Sequence, residues 1–135
     1  MRRLALLALL VPLVAGCAFF GPTVTQVERT PAPGFDVPVW VKRENLPPQA
    51  IPGATLFAAA GCTACHTYLG SGASELGAPD LTAIGRRRLG IAFEIRHLKC
   101  PSCVNPGSPM PRFSQLGKKR LRELAIFLEA SKGRH

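Results

Sequence analysis

Methionine, tryptophan and tyrosine are scarce in this chain: two, one and one among 135 residues. Acidic groups are few as well, 8 Asp and Glu against 17 Lys and Arg, which leaves a formal charge of +9. The main apolar run, Leu4 to Val14 with Pro12 inside it, spans eleven residues. A helix needs roughly 20 to cross about 30 Å of hydrocarbon, so a polytopic membrane protein is excluded. No internal repeat or low-complexity tract is present. The length allows one small domain plus tails and rules out a large enzyme. A hydrophobic share of 47% rules out a wholly disordered chain. The basic balance by itself is compatible with nucleic-acid binding, but the remaining features argue otherwise.

The N-terminus carries Met1-Arg2-Arg3, the apolar run, then Ala15-Gly16-Cys17. A charged start, a short apolar stretch and a small-residue cleavage site describe an export signal. The ending Leu13-Val14-Ala15-Gly16-Cys17 resembles the bacterial lipobox, which implies removal of residues 1–16 and lipidation of Cys17. Acyl chains would then hold the protein on the extracytoplasmic side of a membrane, each buried methylene contributing about 0.8 kcal/mol. Without residues 1–16, 15 Lys and Arg face 8 acids, a net charge of +7, and Met110 is the methionine that remains. An exported chain without aromatics interleaved on a basic stripe is not expected to bind nucleic acid.

Residues 17–52 read as a tether. Prolines at 22, 31, 33, 38, 47, 48 and 52 forbid a long helix and remove donors from any central strand. Fully flexible, this stretch would span roughly 30 Å; as polyproline it would reach at most about 110 Å. Phe35, Val37, Val39, Trp40 and Val41 interrupt it, and their alternation allows docking as an edge strand or wrap. The globular domain is expected over 53–135.

Gly61-Cys62-Thr63-Ala64-Cys65-His66 contains a C-x-x-C-H pattern, the attachment motif for c-type haem. Three positions separate the thiols, about one helical turn, so both sulfurs reach vinyl groups on one side of the porphyrin. His66 follows directly, where a neutral imidazole nitrogen can ligate the iron. Met110, in Gly107-Ser108-Pro109-Met110-Pro111, is the candidate for the opposite position. Its flanking prolines keep the backbone extended and remove two amide donors beside a flat apolar cofactor. His97 is the internal competitor, read here as a surface group or a propionate neighbour.

With these motifs in place, residues 53–135 resemble the single-haem class I cytochromes c. The resemblance runs through Leu56-Phe57, the Cys62 to His66 motif, Pro79-Asp80-Leu81, Ile84-Gly85-Arg86, Pro109-Met110-Pro111-Arg112-Phe113 and a closing amphipathic helix, in that order. It implies one covalent haem c held by Cys62 and Cys65, with His66 and Met110 as axial ligands. It also implies that the Pro79 carbonyl accepts the His66 ring N–H, and that Arg86 or a neighbour among Arg87 and Arg88 approaches a haem propionate. The family commonly has glycine before that proline; this chain has Ala78. The implied fold is all-α, three to four helices around the haem. Periodicity predicts helices over 54–61, 89–98 and 118–130. In the last, Leu121, Leu124, Ala125 and Leu128 form a stripe expected to pack on the helix of Phe57.

Cys100-Pro101-Ser102-Cys103 lacks a following histidine and is not a second haem site. A disulfide is the default in an oxidising compartment. A dithiol that binds copper or exchanges electrons is a second reading. A tetrahedral zinc site of Cys62, Cys65, Cys100 and Cys103 is a third, and it would make the protein a metal-binding lipoprotein acting as a structural module or metal chaperone. The main expectation is a membrane-tethered electron carrier rather than an enzyme. Its partners would be redox proteins with acidic docking surfaces, such as a membrane oxidase or a quinol-oxidising complex of a respiratory chain.

Overall fold

Val37, Trp40, Val41 and Glu44 fall at i, i+3, i+4 and i+7, and in the computed structural model, which describes residues 35–134, they line the inner face of a helix, α1 (Val37–Glu44). The Asp36 carboxylate caps it by accepting from the Val39 N–H at 3.1 Å. Pro38 lies in the first turn, where its missing N–H has no helical partner to lose. Asn45 ends the helix in the left-handed conformation. The edge strand allowed by the alternating residues is therefore not what forms. The helical period wins because it buries Val37, Trp40 and Glu44 together and leaves Val39 exposed.

Residues 35–52, expected as part of the tether, belong to the packed body. Trp40 is 1% exposed and stands 5.0 Å from Tyr68 and 6.2 Å from Phe57, ring centre to ring centre. The signal segment 1–16, the lipid-bearing Cys17 and the tether as far as residue 34 lie outside the described residues.

Four further α-helices follow among the described residues: α2 (Ile51–Ala59), α3 (Ile91–Lys99), α4 (Pro101–Val104) and α5 (Gly117–Ala130). Short 3-10 turns at Pro48–Ala50, Cys62–Ala64, Ile84–Arg87 and Ser114–Leu116 link them. No strand forms among the described residues beyond an isolated bridge between Tyr68 and Ser71. Helix α2 starts three residues before the expected 54, because Pro52 occupies its first turn rather than ending a tether. Helix α3 starts at Ile91, after Gly90, whose N–H donates to the Glu129 carboxylate at 2.6 Å.

Helices α2 and α5 form the central crossing. A Cβ added at Gly53 would collide with the Glu123 carbonyl oxygen and lie 2.6 Å from the Phe127 Cβ, so only glycine permits this approach. The expected stripe of α5 is buried, and Phe127 joins it between Ala125 and Leu128. Phe127 packs 5.4 Å from Phe57 and 4.9 Å from Tyr68, closing an aromatic cluster with Trp40. The Tyr68 hydroxyl donates to Ser131 Oγ at 3.0 Å, and Ser131 Oγ donates onward to the Phe127 carbonyl at 2.8 Å. The cluster's polar tip is thus satisfied inside the core. Helix α3 lays Glu94 and Leu98 against α5.

Candidate functional site

The C-x-x-C-H motif begins where α2 stops. Gly61 takes a left-handed conformation, φ +79°, which glycine adopts freely, and turns the chain into the Cys62–Ala64 3-10 turn. The Cys62 carbonyl accepts both the Cys65 N–H at 3.3 Å and the His66 N–H at 2.9 Å, so the motif is one tight turn. Ala73 donates to the Thr63 carbonyl at 2.9 Å and Glu75 to the Cys65 carbonyl at 3.1 Å. Gly72 has no room for a Cβ, which would lie 2.9 Å from the Thr63 carbonyl oxygen. The 72–75 loop therefore braces the motif from behind.

Cys62 is buried and Cys65 half-buried, and neither forms a disulfide. Burial pushes the Cys62 thiol up to about 12, opposed by a backbone hydrogen bond and helped by the neighbouring Cys65. A thiol held neutral in this way is a weak spontaneous nucleophile and a poor free metal ligand.

His66 is oriented through Nδ1, which lies 2.9 Å from the Pro79 carbonyl oxygen. The carbonyl accepts, so the proton sits on Nδ1 and Nε2 keeps its lone pair. The Pro79 segment is itself pinned. The Asp80 carboxylate accepts from the Thr67 hydroxyl at 2.5 Å and from the Thr82 N–H at 2.8 Å, while Leu81 N–H donates to the Thr67 carbonyl at 2.9 Å. Thr82 Oγ1 in turn accepts from Leu69 N–H at 2.8 Å. Ala78, where glycine is common, does not prevent this turn: its N–H donates to the Glu75 carbonyl at 2.8 Å.

Met110 is half-buried against the core, in a loop with few bonds of its own. Its N–H donates to Ser108 Oγ at 3.3 Å, and Phe113 N–H donates to the Leu98 carbonyl at 2.9 Å. That second bond fastens the loop to the end of α3. His97, on the same helix, stacks on Phe93 with ring centres 6.1 Å apart and planes within 8°. His97 Nδ1 is buried without a hydrogen-bond partner.

Arg86 is exposed and tied to the C-terminal residues. Its guanidinium binds the carbonyl oxygens of Lys132 and Gly133, the latter at 2.7 Å, which engages the side chain in holding the C-terminal residues. Arg87 and Arg88 are exposed. Cys100 and Cys103 are joined in a disulfide, their Cα atoms 5.2 Å apart across one turn of α4. Their sulfurs are consumed by each other, and among the described residues no three His, Cys, Asp or Glu side chains cluster as a metal site. The four-cysteine zinc arrangement is thus not assembled. No described helix is long and apolar enough to cross a membrane.

Two relationships carried no readable signal in the sequence. The Asp80 bond to Thr67 depends on a loop closure thirteen residues long. Glu44, fully buried, accepts the backbone N–H groups of Lys132 and Arg134 from the opposite end of the chain.

The donor set fits a covalent haem: two unpaired thiols on one turn, an imidazole with its Nδ1 committed and Nε2 bare, a thioether in a loosely held loop, and a buried ring nitrogen with no partner in the polypeptide. A family model described as cytochrome c matches residues 50–131. No curated protein and no solved structure gives a match.

Proposed function

Because the chain belongs to the cytochrome c family, whose domain carries a covalently bound haem c, we propose that it is a membrane-tethered electron carrier with His66 and Met110 as axial ligands. Cys62 and Cys65 form the two thioethers. When bound, the haem supplies a one-electron ferric–ferrous couple, whose potential thioether ligation raises. Lipidated Cys17 provides the membrane anchor, and the chain works without substrate chemistry of its own.

The observation that carries this reading is the His66 bond to Pro79. It supports Nε2 as the ligating atom, since the ring proton on Nδ1 is committed to the Pro79 carbonyl. Asp80, by gripping Thr67 and Thr82, keeps the Pro79 carbonyl from swinging away. With His66 and Met110 both holding the iron, no open coordination site would be left for oxygen or peroxide. The mature charge of +7, or +5 after two propionates ionise, steers acidic redox partners toward the protein and speeds encounter more than it tightens binding. A lipid anchor raises the local concentration near a membrane oxidase or quinol-oxidising complex.

The test is chemical. Purified protein is expected to be red and to keep its haem through denaturation and acid-acetone extraction; colourless protein containing zinc would overturn the assignment. Met110→Ala should abolish the iron–thioether charge-transfer band and lower the potential. Electron transfer to an acidic partner should slow as ionic strength rises, and rates indifferent to salt would remove the charge-steered dock.

A further inference from the structure

Cys100-Pro101-Ser102-Cys103 is a motif that the electron-carrier reading leaves unused. Its disulfide joins residues three positions apart, with Cα atoms 5.2 Å from each other. A ring this small removes little chain entropy from the unfolded state and stabilises less than a long-range crosslink. The bond is also accessible. Ser102 and Cys103 are exposed and Cys100 is half-buried, while Pro101 is fully buried and anchors the turn. Exposed disulfides are the ones that thiols reach and reduce; buried structural ones resist.

The surroundings give the two sulfurs different roles. Cys100 is held at the end of α3, its N–H donating to the Arg96 carbonyl at 3.0 Å. The Ser102 hydroxyl lies 4.0 Å from the Cys100 Sγ. Cys103 is the more open of the pair. Residues 95–122 contain seven Lys and Arg and no Asp or Glu, a charge balance that favours an incoming thiolate.

The same bond staples α4 to the end of α3, and hydrogen bonds lead from there to Met110. Cys103 N–H donates to the Cys100 carbonyl at 3.0 Å, and Asn105 N–H to the Pro101 carbonyl at 2.8 Å. Ser108 N–H donates to the Asn105 carbonyl at 3.0 Å, and Met110 N–H to Ser108 Oγ at 3.3 Å. The bond from Phe113 N–H to the Leu98 carbonyl, 2.9 Å, closes this segment at its base. The disulfide and Met110 therefore share one loop, 98–113.

We propose that Cys100–Cys103 is a thiol–disulfide exchange site that takes two electrons from a dithiol-bearing protein and relaxes the Met110 loop when reduced. A partner thiolate attacks the Cys103 Sγ, the sulfur–sulfur bond breaks, and Cys100 leaves as a thiolate beside the Ser102 hydroxyl. The partner's second thiolate then attacks the partner sulfur of the mixed disulfide and releases Cys103. The partner ends as a disulfide, and its two electrons and two protons end on Cys100 and Cys103. Reverse exchange with a protein disulfide restores the staple, and the haem iron takes no part in either direction. The exchange stands on the cysteine geometry; its effect on the loop rests on the Met110 ligation proposed above.

The experiment keeps the holoprotein ferrous with ascorbate and equilibrates it, without denaturant, in buffers of reduced and oxidised glutathione. Thiols are counted by alkylation and mass. Two should appear in most molecules under excess reduced glutathione and vanish when oxidised glutathione is restored. Reduction of the folded protein should proceed within about tenfold of the rate for the urea-unfolded chain, and Ser102→Ala should slow it roughly tenfold. The thiol left in Cys100→Ser should alkylate faster than the thiol left in Cys103→Ser. In the reduced protein the thioether band should melt at lower temperature, and the double serine variant should ignore the glutathione ratio. Thiols that appear only after denaturation, or a pair that stays oxidised in excess reduced glutathione, would overturn the exchange site. A thioether band indifferent to the thiol count would overturn the link to the loop. Exchange in a parent protein that has no thioether band would instead place the fault in the Met110 ligation.

Discussion

Glu44, at the end of α1, accepts the Lys132 N–H at 3.1 Å and the Arg134 N–H at 3.0 Å, so one buried carboxylate ties the first helix of the described body to its last residues. Arg86 works on the same segment from the other side through the Lys132 and Gly133 carbonyls. The C-terminal residues are thereby held in both hydrogen-bonding senses, their N–H groups by an anion and their carbonyls by a cation.

Glu44→Ala should destabilise the holoprotein by about 2–4 kcal/mol, since two charge-assisted hydrogen bonds are lost and two backbone donors are left without them. The denaturant midpoint should fall while the haem spectrum of the folded protein stays the same. A midpoint within error of the parent would show that the clasp contributes nothing.

The pH profile of stability should carry the mark of Glu94. Burial first, then repulsion from Glu129, raise its carboxyl from 4.5 to about 7, with Arg87 pulling the other way. The folded protein thus holds this proton more tightly than the unfolded chain does. Stability from this group is full below pH 4.5 and is lost as pH rises through about 7. The loss amounts to roughly 2–3 kcal/mol. Glu94→Gln should be the more stable protein at pH 8 and should show a flatter dependence of midpoint on pH. Parallel profiles for the two proteins would refute this account.

Two glycines should respond differently to alanine. At Gly53 the added methyl group meets the Glu123 carbonyl and the Phe127 Cβ, so α2 and α5 must separate. The expected cost is about 1–3 kcal/mol. Gly61 has nothing within 4 Å of an added Cβ, only a left-handed backbone. Gly61→Ala should therefore cost about 1 kcal/mol, from backbone strain alone. Urea unfolding of the two variants separates crowding from strain.

For the cysteine pair, the denatured holoprotein should show no reactive thiols before reduction and two after it. Replacing both Cys100 and Cys103 by serine should lower stability by roughly 2 kcal/mol, the closure entropy of so short a loop. Because α4 leads into the Met110 loop, the thioether band should also weaken at lower temperature than in the parent. Two free thiols before reduction would contradict the disulfide.

The motif residues were legible because their chemistry is local. Cys62, Cys65 and His66 lie within five positions, and a single turn is enough to present them together. The stripe of α5 was legible for the same reason: its period is a property of the helix itself. Phe127 was missed because it lies off the strict i, i+3, i+4, i+7 series and is drawn inward by Phe57 and Tyr68, a choice made by neighbours. Residues 37–44 misled because alternation and helical spacing coexist there: positions 37, 39 and 41 satisfy one, positions 37, 40, 41 and 44 the other. Pro38 and Pro52 looked like breaks, yet a proline in the first turn is where a helix tolerates it.

Attachment chemistry, charge and the identity of the helical faces were written in the order of residues, since each depends on groups a few positions apart. The partners of Glu44 and Arg86, and the Thr67 partner of Asp80, were decided only by the folded chain. Hydrogen bonds between distant positions pair a carboxylate or a guanidinium with backbone groups that every residue carries alike, and such groups leave no trace in a sequence until packing brings one of them within about 3 Å.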